Sequence, residues 1–192
     1  MTTPVRSQRF AVVDVETSGL DVRRHRVLQV GVVVVDGDGL VLSKWSTLVA
    51  PRRRLFFRVG PSSLHGIHRR HLRHAPPLES VMRQLAARLR GTRFVAHNAS
   101  FDLAFLRAAA AEAGIELPIV DPLCTLRLSR TLDPGRTMSH RLADLCVRYG
   151  VSLDRPHDAL ADAEATAAVL PHLLQAHGVV TVDQLSALPV AS

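Results

Sequence analysis

A mixed α/β fold, one sheet covered by helices, is predicted by two observations. Three β-rich runs open the chain, and downstream of them strand-like and helical segments alternate. The first run, Phe10 to Leu20, begins with apolar and β-branched residues and reads as a buried central strand. Val27 to Val35 is the second, ended by Asp36-Gly37-Asp38-Gly39. Asp-Gly between two such runs signals a hairpin, so Val27–Val35 and Leu40–Val49 should pair antiparallel. Pro51 to Arg54 is a basic turn that reads as a solvated edge. Between Phe56 and His74, Gly60-Pro61 is a breaker and Ser62 or Ser63 a possible helix cap. Pro77 to Arg90 places Leu78, Val81, Met82, Leu85 and Leu89 at helical spacing, with Gly91 as a stop. Phe94-Val95-Ala96 is a short buried strand, His97 to Ser100 a cap, and Phe101 to Ala113 an alanine-rich helix closed by Gly114. Pro118 to Val120 looks like a further strand, Pro122 to Thr131 a helix, and Asp133-Pro134-Gly135 a turn. Ser139 should cap a helix from His140 to Tyr149 that ends at Gly150, and after Pro156 the last strong helix runs from Asp158 to His177.

Composition fits one globular domain: the 192 residues are 47% hydrophobic, with no internal repeat and no long linker. The 24 basic and 17 acidic residues leave a charge of +7, which favours a polyanionic partner such as nucleic acid. Lys44 is the only lysine, so part of this bias can reflect arginine-rich genomic composition. Cys124 and Cys146 lie far apart without Cys-x-x-Cys partners and read as reduced thiols, not a zinc site. The N-terminus has no apolar signal region, and no apolar run approaches the ~18 residues needed to span a bilayer. No membrane contact and a cytoplasmic location are therefore expected.

The chemistry begins inside the first strand. Residues two apart on a strand face the same way, so Asp14 and Glu16 present a pair of carboxylates from one face. Two buried like charges are costly unless a cation lies between them, and hard oxygen ligands select Mg²⁺ or Mn²⁺. The alternative is a frayed strand end in water. Asp102 stands in the first turn of a helix that starts where a strand ends, the sheet edge at which sites assemble, although it would also complement the helix dipole. His157 and Asp162 are five residues apart and would diverge on one continuous helix. With Pro156 before it and Asp158 as N-cap, His157 instead lies in the approach loop and Asp162 near the first turn, so both can face one point.

Together these pieces resemble the DEDDh exonucleases, the DnaQ-like 3′→5′ family that includes the proofreading epsilon subunit of bacterial DNA polymerase III. The first motif is Asp14-Val15-Glu16-Thr17-Ser18-Gly19-Leu20, the second His97-Asn98-Ala99-Ser100-Phe101-Asp102, and the third His157, Ala159 and Asp162. Val27-Leu28-Gln29-Val30-Gly31, Leu64-His65-Gly66-Ile67 and the segment from Leu142 to Gly150 also agree, so the resemblance covers residues 9 to 175. It implies a ribonuclease H-like fold, a mixed five-stranded sheet with three antiparallel strands followed by two parallel ones. Residues 9–177 would be the exonuclease domain, between an N-terminal tail, 1–8, and a short C-terminal helix and tail, 178–192. The resemblance further implies Asp14, Glu16, Asp102 and Asp162 as ligands of two divalent cations, Mg²⁺ or Mn²⁺, and His157 as general base. Thr17, Gly19, Leu20, His65, Gly66 and Ile67 would hold the terminal nucleotide, with Leu20 and Ile67 wedged against its base and Asn98 and Phe101 in support. His68 stands where family members often have threonine, and the series His65, His68, His71, His74 reads as nucleic-acid-facing or solvated.

The leading expectation is removal of 5′-mononucleotides from DNA 3′ ends, single-stranded or frayed, in proofreading or repair. The alternatives are an exoribonuclease or oligoribonuclease-like enzyme, and a non-catalytic nucleic-acid-binding polymerase-accessory module; no expected carboxylate or histidine is missing. A DNA polymerase is a possible partner. Gln184-Leu185-Ser186-Ala187-Leu188-Pro189 faintly resembles a sliding-clamp-binding peptide but is equally an ordinary capped short helix.

Overall fold

Strand β1, Arg9–Thr17, is the middle strand of a five-stranded sheet of order β3-β2-β1-β4-β5. The computed structural model describes residues 3–51 and 57–190, and most of the basic turn at 51–54 lies outside them. β2, Val27–Asp36, and β3, Val41–Leu48, add antiparallel on one side. β4, Arg93–Ala96, and β5, Leu123–Cys124, add parallel on the other. Three antiparallel strands followed by two parallel ones is the order expected from the sequence.

Helices cover both faces. α1, Ser62–His65, is a single turn, α2, Leu78–Leu89, and α3, Ala99–Ala113, follow it, and α4, Thr125–Thr131, α5, Leu142–Tyr149, α6, Ala159–Ala176, and α7, Val182–Leu185, complete the described α-helices. Alternation along the strands sends Ala11, Val13 and Val15 of β1 with Val30, Val32 and Val34 of β2 toward α2 and α3. Phe10, Val12, Val33 and Val35 turn the other way, toward α4, α5 and α6. Phe94 of β4 is 1% exposed within the first of these layers. Phe94→Ala should cost about 3–5 kcal/mol in urea unfolding, because the cavity it leaves lies between a strand and two helices.

Several local expectations are corrected. Residues 118–120 are not a strand: the fifth strand is Leu123–Cys124, inside the segment expected to start a helix, and α4 begins only at Thr125. Pro118 and Pro122 have no N–H to give a ladder, whereas Leu123 and Cys124 match the register of Val95 and Ala96. Ser139 does not cap α5; Arg141 holds that position, and Ser139 Oγ donates to Asp144 Oδ2 at 2.5 Å. Pro61, not Ser62 or Ser63, precedes α1. The C-terminal segment is part of the core: Leu185 and Leu188 are buried with Val179 against the α6 layer. That is the ordinary short helix the sequence also allowed, with a capping box between Thr181 and Gln184. Both cysteines are free and buried. No helix among the described residues is long and apolar enough to cross a membrane.

Candidate active site

The α6-facing rows of β1 and β2 change character together. Phe10 pairs with Val35 and Val12 with Val33, then Asp14 with Gly31 and Glu16 with Gln29. The apolar half lies beneath the body of α6, and the polar half lies where α6 begins. β4 pairs with β1 only from Phe10 to Val12, so the carboxylates project past the end of the neighbouring strand. There Val15 N–H donates to Asp102 Oδ1 at 3.2 Å, and this bond fixes a carboxylate from the first turn of α3 beside the two on β1.

The fourth carboxylate and the histidine arrive from α6. Asp158 is its N-cap and accepts a hydrogen bond from Ala161 N–H at 3.1 Å. Before it, Asp158 N–H donates to the Arg155 carbonyl at 3.3 Å, closing a turn with proline second and His157 third at φ 66°. That is the shape of a type II turn, whose third position favours glycine; a histidine there costs on the order of 1–3 kcal/mol. The turn keeps it nonetheless, and Asp162 Oδ2 accepts the His157 N–H at 3.0 Å. Ligand atoms of Glu16, Asp162 and His157 all lie within 4.8 Å of one another. His157 is exposed on the solvent side of the cluster.

The electrostatics record this crowding. Burial, then the charges of Asp102, Asp162, Glu16 and Asp158, hold the Asp14 carboxyl well above the usual carboxylate range. Burial and the charges of Asp162, Asp158 and Asp102 push Glu16 up to about 8. Asp102 is pushed up to about 7 by burial, against hydrogen bonds from its own and the Val15 N–H. Asp162 is raised by burial and opposed by its bond from His157. Acceptor-only oxygens converging in this way fit a hard divalent cation, which would reverse the local field.

The other residues expected at the site divide by exposure. Leu20 is 86% exposed, directly after the carboxylate strand, and Thr17 Oγ1 donates to the Gly19 carbonyl at 2.7 Å. A Cβ on Gly19 would lie 2.6 Å from the His25 ring, so only glycine fits that turn. Gly66 ends α1 in the left-handed region. Ile67, expected as the second wedge, is 5% exposed and packs inward with Leu28, Val59 and Leu72; Leu64, 52% exposed, is the apolar side chain that this segment turns outward. His65 is buried; its Nδ1 accepts Ile67 N–H at 3.1 Å, so the ring proton lies on Nε2, which has no hydrogen-bond partner among the described residues. His68, His71 and His74 are all exposed. Asn98 is exposed at the start of α3, and Phe101 packs on Phe105 with ring centroids 4.9 Å apart. His97 Nδ1 lies 3.0 Å from Thr125 Oγ1, and burial lowers its imidazole to about 4. Two members of the site lie outside the residues expected from the motifs. Asp158 is a fifth carboxylate within reach of the cluster, and Gln29 hydrogen-bonds to it; the signal for Gln29 was a lone polar residue in the apolar run Val27–Val35.

Sequence and fold comparisons relate the chain to known exonucleases. The sequence model of the Exonuclease family, RNase_T, matches residues 11–170. The 3′-5′ exonuclease DinG of Bacillus subtilis (strain 168) is 32% identical over 169 residues, covering 88% of this chain and 18% of DinG. DNA polymerase III PolC-type of the same organism is 34% identical over 173 residues, covering 88% of this chain and 12% of that protein. The chain thus spans less than a fifth of either relative. Exonuclease X, solved in complex with 5′ overhanging duplex DNA, superposes with a TM-score of 0.71 at 28% identity, covering 94% of this chain and 98% of that one. The match of the Exonuclease family model over residues 11–170, together with these relatives and the ribonuclease H-like sheet, places the chain in the DnaQ-like 3′→5′ exonuclease family.

Proposed function

We propose that the chain is a metal-dependent 3′→5′ exonuclease that hydrolyses the terminal phosphodiester of single-stranded or frayed DNA to a nucleoside 5′-monophosphate. The observation that carries this reading is the convergence of Asp14, Glu16, Asp102 and Asp162 from three elements with His157 on the open side. The four carboxylates would hold two ions, Mg²⁺ or Mn²⁺, which supply charge neutralisation at the scissile phosphate and the leaving 3′-oxygen. His157 takes the proton of the attacking water at its imidazole, and Asp162 orients it through the His157 backbone N–H. Leu20 stacks on the terminal base, a contact indifferent to sequence. Beyond His65 the exposed run His68, Arg69, Arg70, His71, Arg73 and His74 gives the incoming strand a basic path.

End-labelled oligonucleotides test this reading. With Mg²⁺ or Mn²⁺, DNA labelled at its 5′ end should shorten stepwise, DNA labelled at its 3′ end should release labelled mononucleotide at once, and EDTA should stop both. Parallel RNA substrates give the sugar preference. His157→Asn, whose new side chain tolerates the left-handed turn, should lower kcat roughly 10²–10⁴-fold without loss of fold. A folded protein that binds both polymers and cleaves neither would favour the accessory-module reading.

A further inference from the structure

Outside the carboxylates themselves, the closest junction between the two halves of the site is the seat of α6 on β2. Gln29 and Gly31 stand directly across from Glu16 and Asp14 in the β1–β2 register. A Cβ on Gly31 would lie 2.2 Å from the Ala159 carbonyl oxygen, so the first turn of α6 rests on bare backbone at that point. Ala159 is fully buried, and as the first residue of a helix its N–H has no intrahelical acceptor. Gln29 Oε1 accepts it at 3.4 Å. The amide end of the same side chain is held between Asp158 Oδ2 at 3.4 Å and Ser46 Oγ of β3 at 3.2 Å.

We infer that Gln29 is a positioning residue that locks the turn carrying His157, and with it Asp162, at a fixed height over Glu16. Three features carry the assignment. Gln29 is the polar residue of an otherwise apolar strand run, and all three of its hydrogen bonds leave β2 for other elements. The group it satisfies is a buried backbone donor, so without Gln29 the first turn of α6 must move to find another acceptor or water. That turn carries Asp162, which accepts the N–H of His157, and His157 in the loop just before it is held in a left-handed conformation that needs outside support. A shift there opens the cluster formed with Glu16 without touching a ligand. The effect on catalysis rests on the exonuclease reading; the effect on α6 does not.

The test compares Gln29→Leu, Gln29→Glu and Gln29→Glu combined with Asp158→Asn. Amide hydrogen exchange at Ala159 reads the seat directly and needs neither metal nor activity. Gln29→Leu should speed exchange at Ala159 at least tenfold while Val33, farther along β2, is unchanged, and should lower kcat roughly 10–100-fold with KM little changed. Gln29→Glu keeps an acceptor for Ala159 but sets a second carboxylate against Asp158, and should be at least as damaging. Adding Asp158→Asn removes that repulsion and still caps the helix, so the double variant should recover at least tenfold over Gln29→Glu alone. Unchanged exchange and kcat in Gln29→Leu, or strictly additive effects of Gln29→Glu and Asp158→Asn, would overturn the assignment. Should Gln29→Leu fail to fold, the additivity of the other two substitutions decides. If the wild type cleaves no nucleic acid, the exonuclease reading fails while exchange at Ala159 still judges the seat.

Discussion

Asp14→Asn should lower the proposed 3′-end hydrolysis by roughly 10³-fold or more, about 4 kcal/mol of transition-state stabilisation, and should raise the melting temperature of the metal-free protein. Both results have one cause. Asp14 lies on the central strand among Asp102, Asp162, Glu16 and Asp158, with burial adding to their repulsion, so its carboxylate is a cost to the empty fold. Asparagine keeps the shape and hydrogen-bonding capacity but not the charge that holds a cation. A surface carboxylate replaced by its amide would show neither effect, and a purely structural Asp14 would lose stability along with activity. End-labelled turnover measured beside thermal unfolding in EDTA separates these cases, and a variant that keeps wild-type turnover would remove Asp14 from the site.

The metal-free protein loses stability as pH rises from about 6.5 to about 9, by roughly 5–10 °C in melting temperature, and divalent cations restore it. A carboxyl whose folded pKa is raised binds a proton on folding. Its contribution is full below the unfolded pKa and disappears as pH climbs through the folded value. For Asp102 and Glu16 those folded values are about 7 and about 8, so a loss that begins at about pH 4 is completed in this window. His97, lowered to about 4 by burial, acts in the opposite sense between there and its unfolded value near 6.5. The clean window therefore starts above 6.5. Scanning calorimetry in EDTA across this range, repeated with Mg²⁺, measures it. A melting temperature that rises with pH in EDTA would show that the carboxylates are not crowded in the folded protein.

The sequence was informative where one side chain or one period decides the outcome. Alternation along Phe10–Glu16 set two carboxylates on one face, Asp-Gly at 36–37 set the β2–β3 hairpin, and glycines 114 and 150 ended α3 and α5. It failed where the answer lies in a partner. Residues 118–120 carry a strand-like composition, but only the edge of β4 determines that Leu123 and Cys124 pair. Ile67 reads as a wedge until the small core of Leu28, Val59 and Leu72 claims it. Leu185 and Leu188 read equally as a clamp-binding peptide or a capped short helix, and only the α6 layer shows them buried.

The amino-acid sequence by itself determined the identity and order of the candidate site residues Asp14, Glu16, Asp102, His157 and Asp162, because carboxylate and imidazole are properties of residues. Their convergence was decided by the tertiary structure. Asp102 reaches the site because β1 outruns β4 and leaves the Val15 N–H to be satisfied, and His157 and Asp162 reach it because bare backbone at Gly31 lets α6 settle on the sheet. Those are long-range effects of steric fit and hydrogen-bond satisfaction, and no local pattern in the chain encodes them.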